Sequence, residues 1–261
     1  MLEYRTPPSG ETRFNLSGDA YHRVYERCDF CGHFFARHAL DLSSLYDGEY
    51  LDATYGDADG MARRLEKVLS LPPSRSDNAG RVAAISRFVK RHAGDDGGDR
   101  RLLDIGAGIG VFPISMMREG WTVTAMEPDR RAAEHLRAVA NVNTLTGDLR
   151  SYSANDIGRF ELISFNKVLE HVLDPTDLLA KSSEFLSPRG IVYVELPDVA
   201  AAQAGPEREE FFIEHHHVFS PASVDMMAER AGLETLCTER LREPSGKYTL
   251  RTFLAAGDGR G

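Results

Sequence analysis

The pattern of hydrophobic positions changes near residue 100, and the change predicts two differently built regions. Before it, apolar residues recur at helical spacing over 61–71 and 78–93. After it, short apolar runs alternate with amphipathic segments. The runs are RLLDI (101–105), WTVTAM (121–126), VNTLTG (142–147), FELISF (160–165) and IVYVEL (191–196), with two more near 233–240 and 248–256. This alternation predicts an α/β fold: a parallel sheet with helices on both faces.

The first 60 residues follow neither pattern. Their periodicity is weak, and Gly and Asp recur, so we predict a small loop-rich cap. The turn-rich run GDDGGD (94–99) separates this part from the alternating region. We divide the chain into a cap with one helix, 1–75, and a main domain, 76–257.

A glycine-rich turn follows the first strand of the main domain, in the segment LLDIGAGIG (102–110). Glycines at a strand-to-helix turn let the backbone approach a ligand closely, because no Cβ intervenes, and the helix N-terminus offers free N–H groups. The dinucleotide fingerprint GxGxxG would require glycine at 111, where this chain has Val111. The turn therefore favours a ligand other than a nicotinamide or flavin cofactor.

Three acidic residues stand at the ends of three predicted strands: Asp104, Glu127 and Asp148. Ligands of open parallel sheets bind at the carboxyl ends of the strands. A carboxylate at Glu127 can accept hydrogen bonds from both hydroxyls of a ribose, and one at Asp148 can accept from an adenine amino group. Any one of these acids alone could be a solvated loop residue, but the three together with the GxGxG turn predict a nucleoside site.

These segments resemble the class I S-adenosylmethionine-dependent methyltransferases. LLDIGAGIG, AMEPD (125–129), TGDL (146–149), FELISFNKVLEHVLDP (160–175) and SPRGIVYVELPD (187–198) each match a family motif, so the resemblance covers about 78–256. It implies a doubly wound, mostly parallel, seven-stranded Rossmann-like sheet that binds S-adenosyl-L-methionine. By the same likeness, Asp104, Gly106, Ala107 and Gly108 line the methionine part, Glu127 binds the ribose, Asp148 and Leu149 bind adenine, Asn166 lies beside the cofactor, and Gly110 and Pro128 complete the cofactor motifs.

The segment FFIEHHHVFS (211–220) is a candidate for the acceptor side of the site. It resembles the "EH…FS" stretch of sugar C-methyltransferases, which implies that His215 acts as general base or orients the acceptor. A packed or capping histidine is the alternative. Three adjacent histidines also suggest a metal, but neighbouring residues point in different directions and rarely share one ion.

The N-terminal segment CDFCGH (28–33), with LYDGEY (45–50) after it, resembles the zinc ribbon of the same sugar methyltransferases. The ribbon needs a second CxxC upstream, and residues 1–27 contain no cysteine. His22, His33 or His38 could substitute, since two thiolates and two imidazoles suit zinc. The alternative, which we adopt, is a remnant knuckle without metal. Of Tyr46, Tyr50 and Tyr55, the resemblance makes Tyr50 the best candidate for a catalytic residue on the acceptor side.

Glu170 and His171 follow the fourth strand of the main domain in KVLEHVLDP. They could touch the substrate or fix the turn into the next helix, and we favour the structural role. No metal site enters the prediction.

Composition adds limits on partners. The formal charge is −9, from 31 basic and 40 acidic residues, which argues against non-specific nucleic-acid binding. No stretch has the length of a membrane span, the first residues lack the layout of a signal peptide, and three cysteines fit a reducing compartment. We expect a cytoplasmic enzyme that uses S-adenosyl-L-methionine, with a small-molecule partner and neither nucleic acid nor membrane. A homodimer remains open.

The predicted function is methyl transfer to a small polar acceptor, such as a sugar, a nucleotide-sugar or a natural-product intermediate, at oxygen or carbon. Two alternatives remain at this point. One is a nicotinamide-dependent oxidoreductase, against which Val111 speaks. The other is a catalytically silent binding protein that keeps the methyltransferase fold.

Overall fold

A seven-stranded sheet forms the centre of the protein. The computed structural model describes residues 1–12, 14, 21–40, 57–92, 100–138 and 140–257. The strands are β1 (Leu2–Tyr4), β2 (Arg23–Arg27), β3 (Phe34–Arg37), β4 (Arg101–Ile105), β5 (Thr122–Glu127), β6 (Asn143–Thr146), β7 (Phe160–Asn166), β8 (Leu186–Pro197), β9 (His217–Val218), β10 (Leu233–Arg242) and β11 (Tyr248–Ala256). The order in the central sheet is β10-β11-β8-β7-β4-β5-β6.

The strands β4 to β8 run parallel, and β11 pairs antiparallel with both β8 and β10. The predicted mostly parallel, seven-stranded α/β sheet is confirmed. Because β4 and β5 are adjacent and β7 lies on the other side of β4, their carboxyl ends meet at one edge. That edge is where an open parallel sheet binds its ligands.

Helices cover both faces of this sheet, and two of them begin with residue types that favour helix starts. They are α1 (Ala58–Leu69), α2 (Asp77–His92), α3 (Val111–Arg118), α4 (Arg130–Ala138), α5 (Ala154–Ile157), α6 (Pro175–Ser182) and α7 (Pro221–Arg230). Asp174 caps α6 by accepting from the Asp177 N–H, and Ser220 caps α7 by accepting from Ser223. A proline occupies the first turn in both helices, where its missing N–H costs nothing.

Alternate residues of the central strands pack on opposite faces, as the period of two requires. In β4, Leu103 joins one cluster and Leu102 the other. The first cluster includes residues of α6 and α7, and the second includes residues of α2 and α3. Both faces of the sheet are therefore covered by packed side chains. The edge formed by the carboxyl ends of the strands is left for a ligand.

The N-terminal region is less loop-rich than predicted. Strands β1, β2 and β3 form an antiparallel sheet, and its fourth strand is β9, from the segment that carries the three histidines. Arg23, with no exposed surface, anchors this sheet through an ion pair with Glu11 and a hydrogen bond to the Phe211 carbonyl. A fourth strand contributed from so far along the chain cannot be foreseen from local periodicity. The boundary at 75/76 stays a prediction, and the run 94–99 lies outside the described residues.

Strand β8 begins five residues earlier than the predicted run, and Gly190 makes the early start fit. The pairing with β7 jumps between Phe160↔Leu186 and Leu162↔Ile191, so extra residues of β8 bulge outward. A Cβ at Gly190 would lie 2.8 Å from the Phe160 carbonyl oxygen. The bulge therefore depends on a residue without a side chain.

We expect Gly190→Ala to lower the free energy of unfolding by about 1–3 kcal/mol, the usual cost of forcing atoms into a packed site. Chemical denaturation measures the change. Gly80→Ala is the matched control, because Gly80 lies inside α2 with nothing within 4 Å of its missing Cβ. That control is expected to be neutral or slightly stabilising. Equal effects of both substitutions would contradict the packing argument.

Candidate active site

The glycine-rich turn after β4 is held against β5. The N–H groups of Gly106 and Ala107 both donate to the Met126 carbonyl, at 2.8 and 3.2 Å. Gly106 has φ +68°, and a Cβ there would lie 2.6 Å from Val168 Cγ2. The turn thus brings its backbone into contact with the segment that follows β7. Gly110, with φ +92°, is the N-cap of α3.

Asp104 lies under this turn with 2% of its surface exposed. Ser164 Oγ and Asn166 Nδ2 donate to its Oδ1 at 2.6 and 2.9 Å, so the ends of β4 and β7 are tied together. Burial raises the pKa of Asp104 to about 7, against the lowering effect of those hydrogen bonds. Asn166 Oδ1 is buried without a hydrogen-bond partner in the described part of the chain. An orphaned acceptor beside a buried carboxylate suits a ligand that brings N–H donors.

Glu127 closes the turn from the end of β5. Its Oε2 accepts from the Gly108 N–H at 2.8 Å, and its Oε1 accepts from the Asp129 N–H at 3.0 Å. Burial raises the pKa of this carboxyl above its ordinary value, and the two backbone N–H groups oppose that shift. A carboxylate offers about four acceptor sites, so roughly two remain for the hydroxyls of a ribose.

The third acid has a different environment. Asp148 is partly exposed, accepts from the Arg150 backbone N–H at 2.8 Å and forms an ion pair with the Arg150 guanidinium at 2.7 Å. This hydrogen bonding holds the pKa of Asp148 below its ordinary value. Leu149 is buried in the core, with 1% exposed, and Pro128 is exposed directly after β5. The contacts of Asp148 and Leu149 with adenine stay a prediction.

The residues after β7 place a second group of side chains near the turn. Asn166 ends β7, Val168 contacts Gly106, and a short 3₁₀ helix, Leu169–His171, follows. Glu170 has no exposed surface, and both of its carboxylate oxygens lack hydrogen-bond partners among the described residues. Burial raises the pKa of Glu170 to about 7, while the charge of Lys167 lowers it. A buried carboxylate in this condition is costly unless something binds it.

His215 meets Glu170 and His171 at this position. One possible ligand atom from each of the three residues lies within 4.8 Å of the other two. His171 Nδ1 lies 2.9 Å from the Glu214 carbonyl oxygen, and His215 Nδ1 lies 3.0 Å from the Glu210 carbonyl oxygen. The two rings form a T-shaped pair with centroids 4.8 Å apart. Burial lowers the pKa of both imidazoles, which favours their neutral forms.

The next two histidines point elsewhere, as expected for adjacent residues. The ring of His216 stacks on His38, with centroids 6.2 Å apart. His217 Nδ1 lies 3.1 Å from His33 Nε2, and His33 Nδ1 in turn lies 3.2 Å from Ser223 Oγ. These contacts join the N-terminal strands to the histidine segment, and only His215 of the three faces the group around Glu170.

The cysteine pair forms a tight knuckle between β2 and β3. The Cys28 N–H donates to the His33 carbonyl, and the Gly32 N–H donates to the Cys28 carbonyl. Backbone N–H groups of Cys31 and Phe30 lower the pKa of the Cys28 thiol. Within the ranges that the structure describes, no third His, Cys, Asp or Glu joins the two cysteines in a group that could hold a metal. Tyr46, Tyr50 and Tyr55, including the predicted catalytic Tyr50, lie outside the described residues.

A buried charge network behind the site escapes the sequence analysis. Glu195 on β8 has no exposed surface and pairs in register with Asn166 on β7. Arg81 of α2 and Arg251 of β11 both bind the Glu195 carboxylate, at 2.5 and 3.0 Å. Burial opposes the charge on Glu195, but the two guanidinium groups and Lys167 hold its pKa at about 2. The network fastens α2 over the strand ends. An alternating hydrophobic strand such as IVYVEL gives no local signal for it.

Comparison with known proteins now decides the family. A family model described as a methyltransferase domain matches residues 78–238, more than half of the chain. The chain belongs to this methyltransferase family. The predicted membership of the main domain in the methyltransferases is confirmed, and the alternative of a nicotinamide-dependent oxidoreductase is set aside.

Curated relatives and solved structures agree with this membership. Over 161 residues the chain is 26% identical to the ubiquinone biosynthesis O-methyltransferase of Escherichia coli O157:H7, covering 60% of this chain and 61% of that protein. Across the first curated relatives the matched share of their length is 41% to 64%. The CcbJ methyltransferase from Streptomyces caelestis superimposes with a TM-score of 0.54 at 19% identity, over 74% of this chain and 96% of that one. The Synechocystis magnesium protoporphyrin IX methyltransferase gives 0.57 at 13% identity, over 83% and 100%. These structures share the class I methyltransferase fold.

In the described part of this chain, no helix combines the length and apolar character that a membrane crossing requires.

Proposed function

We propose that this protein transfers the methyl group of S-adenosyl-L-methionine to a small polar acceptor, at oxygen or carbon. The observation that carries the proposal is the edge of strand ends, where two buried carboxylates, Asp104 and Glu127, flank a glycine-rich turn. The acceptor class we favour is a sugar, a nucleotide-sugar or a natural-product intermediate. The curated relatives named as O-methyltransferases support oxygen over carbon as the methylated atom.

The residues present fit the cofactor in their chemistry. Glu127 would bind the ribose hydroxyls with its remaining acceptor sites. Asp104 and the orphaned Oδ1 of Asn166 would face the methionine end, whose ammonium group brings the donors that both need. The backbone of Gly106, Ala107 and Gly108 would lie against the ligand. Asp148 and Leu149 would bound the adenine.

The chemistry asks mainly for alignment, because a sulfonium is already a good leaving group. Holding a nucleophile in line with the methyl group can contribute roughly 7–11 kcal/mol. We assign to His215 the orientation of the acceptor, since it lies beside Glu170 and His171, next to the segment whose Val168 contacts the cofactor turn. Proton removal by His215 is the alternative role.

The first test is isothermal calorimetry with S-adenosylhomocysteine and, separately, with NADH. We expect S-adenosylhomocysteine to bind at micromolar concentration and NADH not to bind. Binding of NADH alone would overturn the proposal. A protein that binds S-adenosylhomocysteine, yet forms none of it from S-adenosylmethionine with a panel of hydroxylated sugars and aromatic acceptors, would favour a silent binding protein.

Affinity for S-adenosylhomocysteine is expected to fall as the pH drops below about 7. Burial holds the pKa of Asp104 at about 7, and only the ionised form attracts the ligand's ammonium group. Each pH unit below the pKa then costs up to tenfold in affinity, about 1.4 kcal/mol. Calorimetry at pH 8 and pH 5.5 measures the change. Asp104→Asn removes this titrating group and should give weaker binding that depends less on pH; an unchanged pH slope in that variant would refute the assignment.

His215→Ala should bind S-adenosylhomocysteine normally and lose methyl transfer by roughly a hundredfold or more, the usual loss when a positioned acid–base or orienting group is removed. Once an acceptor is found, S-adenosylhomocysteine formation gives the rate. His22→Ala is the matched control, because His22 is exposed and pairs with Glu3 at the cap surface. Full turnover in the His215→Ala protein would sink the assignment.

A further inference from the structure

We propose that Glu170, His171 and His215 bind one divalent first-row transition-metal ion. The second part of the inference rests on the proposed function: the bound ion holds the acceptor's hydroxyl oxygen beside the methyl group. No metal is expected from the sequence, which favours a structural role for Glu170 and His171. His215 lies 44 positions after His171 in the chain, and folding brings the two together. The spacing of the residues in the sequence does not reveal this contact.

The separations suit a single ion after small side-chain rotations. Donor atoms around an ion with bonds of about 2.1 Å lie at most about 4.2 Å apart. The three possible ligand atoms here lie within 4.8 Å of one another. Glu170 and His171 share one 3₁₀ helix, and the His216 N–H donates to the Glu170 carbonyl at 2.8 Å, so both segments are fixed to each other by backbone.

The imidazoles are set in the tautomer that metal binding requires. A backbone carbonyl can only accept, so the Nδ1 atoms of His171 and His215 carry the protons that they donate to Glu214 and Glu210. Each Nε2 then carries its lone pair. Histidine ligands of metals are usually oriented by such a hydrogen bond from the second ring nitrogen.

The Glu170 carboxylate is the independent observation that points to a ligand. It is fully buried and has no hydrogen-bond partner for either oxygen in the described chain. The nearby Lys167 ammonium donates to Thr249 Oγ1 at 2.9 Å, and within the described residues neither Glu170 oxygen accepts a hydrogen bond from it. The positive charge of Lys167 opposes a second cation, but the carboxylate of Glu214 acts on His171 with the opposite sign. A metal ion would supply the partner that Glu170 lacks.

The donor set selects the kind of ion and leaves room for a substrate. Two imidazoles and one carboxylate favour Mn²⁺ to Zn²⁺ over Mg²⁺ or Ca²⁺, which prefer oxygen ligands throughout. Three protein ligands leave at least one position open. An acceptor hydroxyl bound there would release its proton to solvent more readily than in water. Its oxygen would form the new O–C bond while the C–S bond breaks, and the electron pair of that bond would remain on sulfur in S-adenosylhomocysteine.

The test uses the full-length protein, freed of metal by a chelator and then titrated with Co²⁺ alone. We expect one equivalent to bind, with visible d–d absorption and no sulfur-to-cobalt charge transfer. Glu170→Gln and His215→Ala should each weaken Co²⁺ binding by roughly a hundredfold or more, because each removes a direct ligand. The matched control is the double variant Cys28→Ser, Cys31→Ser, which should bind Co²⁺ as the unaltered protein does.

Several outcomes would overturn the inference: no Co²⁺ binding, unchanged affinity in both ligand variants, or charge-transfer bands that vanish in the cysteine variant. X-ray absorption of the zinc-loaded, unaltered protein gives a second measurement that does not depend on a variant folding. It should show two imidazoles and oxygen around zinc, and a sulfur shell would refute the site. S-adenosylhomocysteine binding to the metal-free protein tests the proposed function separately, since the strand-end carboxylates need no metal.

Discussion

Replacing Glu127 with alanine should weaken S-adenosylhomocysteine binding by at least about a hundredfold. The carboxylate is expected to accept hydrogen bonds from both ribose hydroxyls, and a hydrogen bond to a charged group is worth about 1.5–3 kcal/mol. The same side chain accepts from the Gly108 and Asp129 N–H groups, so its loss also frees the turn that the cofactor would lie against. Isothermal calorimetry gives the affinity.

Glu119→Ala is the control for this experiment, because Glu119 is exposed at the end of α3. It should bind S-adenosylhomocysteine as the unaltered protein does. Circular dichroism at the calorimetry temperature shows whether the Glu127 variant is folded. A folded Glu127→Ala protein with full affinity would remove this residue from the proposed cofactor site.

Replacing Glu195 with alanine should lower the free energy of unfolding by about 3–5 kcal/mol, the usual result of removing one partner from a buried ion pair. Arg81 would then lose the carboxylate that it binds, and Arg251 would keep its longer ion pairs with Glu239 and Glu243. Urea denaturation measures the loss. Glu134→Ala, which breaks the exposed pair with Arg130, should change stability by less than about 1 kcal/mol. Similar losses in both variants would contradict the role of the buried network.

The stabilisation by Glu195 has a defined pH range. The surrounding cations hold its pKa at about 2, below the ordinary 4.5, so the folded state binds its proton less readily than the unfolded chain does. The contribution is therefore complete above about pH 4.5 and is lost as the pH falls toward 2. In the Glu195→Ala protein, this part of the acid dependence of stability should disappear.

Local sequence signals predicted the main sheet well, because each of its strands is a short apolar run between turn residues. Strand β4 has the predicted bounds, and two helices begin at residue types that favour N-caps, Asp174 and Ser220. Asp104 and Asn166 lie at the carboxyl ends of β4 and β7. These strands are parallel neighbours, so the two side chains meet at the same edge of the sheet. These features depend on residues a few positions apart or on the regular geometry of a sheet.

What escaped prediction depends on contacts between distant segments. The bulge that lengthens β8 is set by the close approach of Gly190 to the neighbouring strand. The ion pair between Arg81 and Glu195 joins a helix to a strand 114 positions away. The meeting of Glu170 with His215 requires the histidine segment to pack behind the turn after β7. Periodicity carries no information about such pairings, because they arise from tertiary packing.

The strand pair β3–β9 has a consequence for how the protein is made. His33 and His217, which meet at this pairing, are 184 positions apart. A ribosome would release the first three strands long before their partner exists, so one edge of that small sheet waits unpaired while the central sheet forms. Closing so long a loop is slow and comes late. The small sheet would therefore be completed only after strands β4 to β8, which include Asp104 and Glu127, have been made, and a chain cut short before residue 217 would leave β3 without its partner strand.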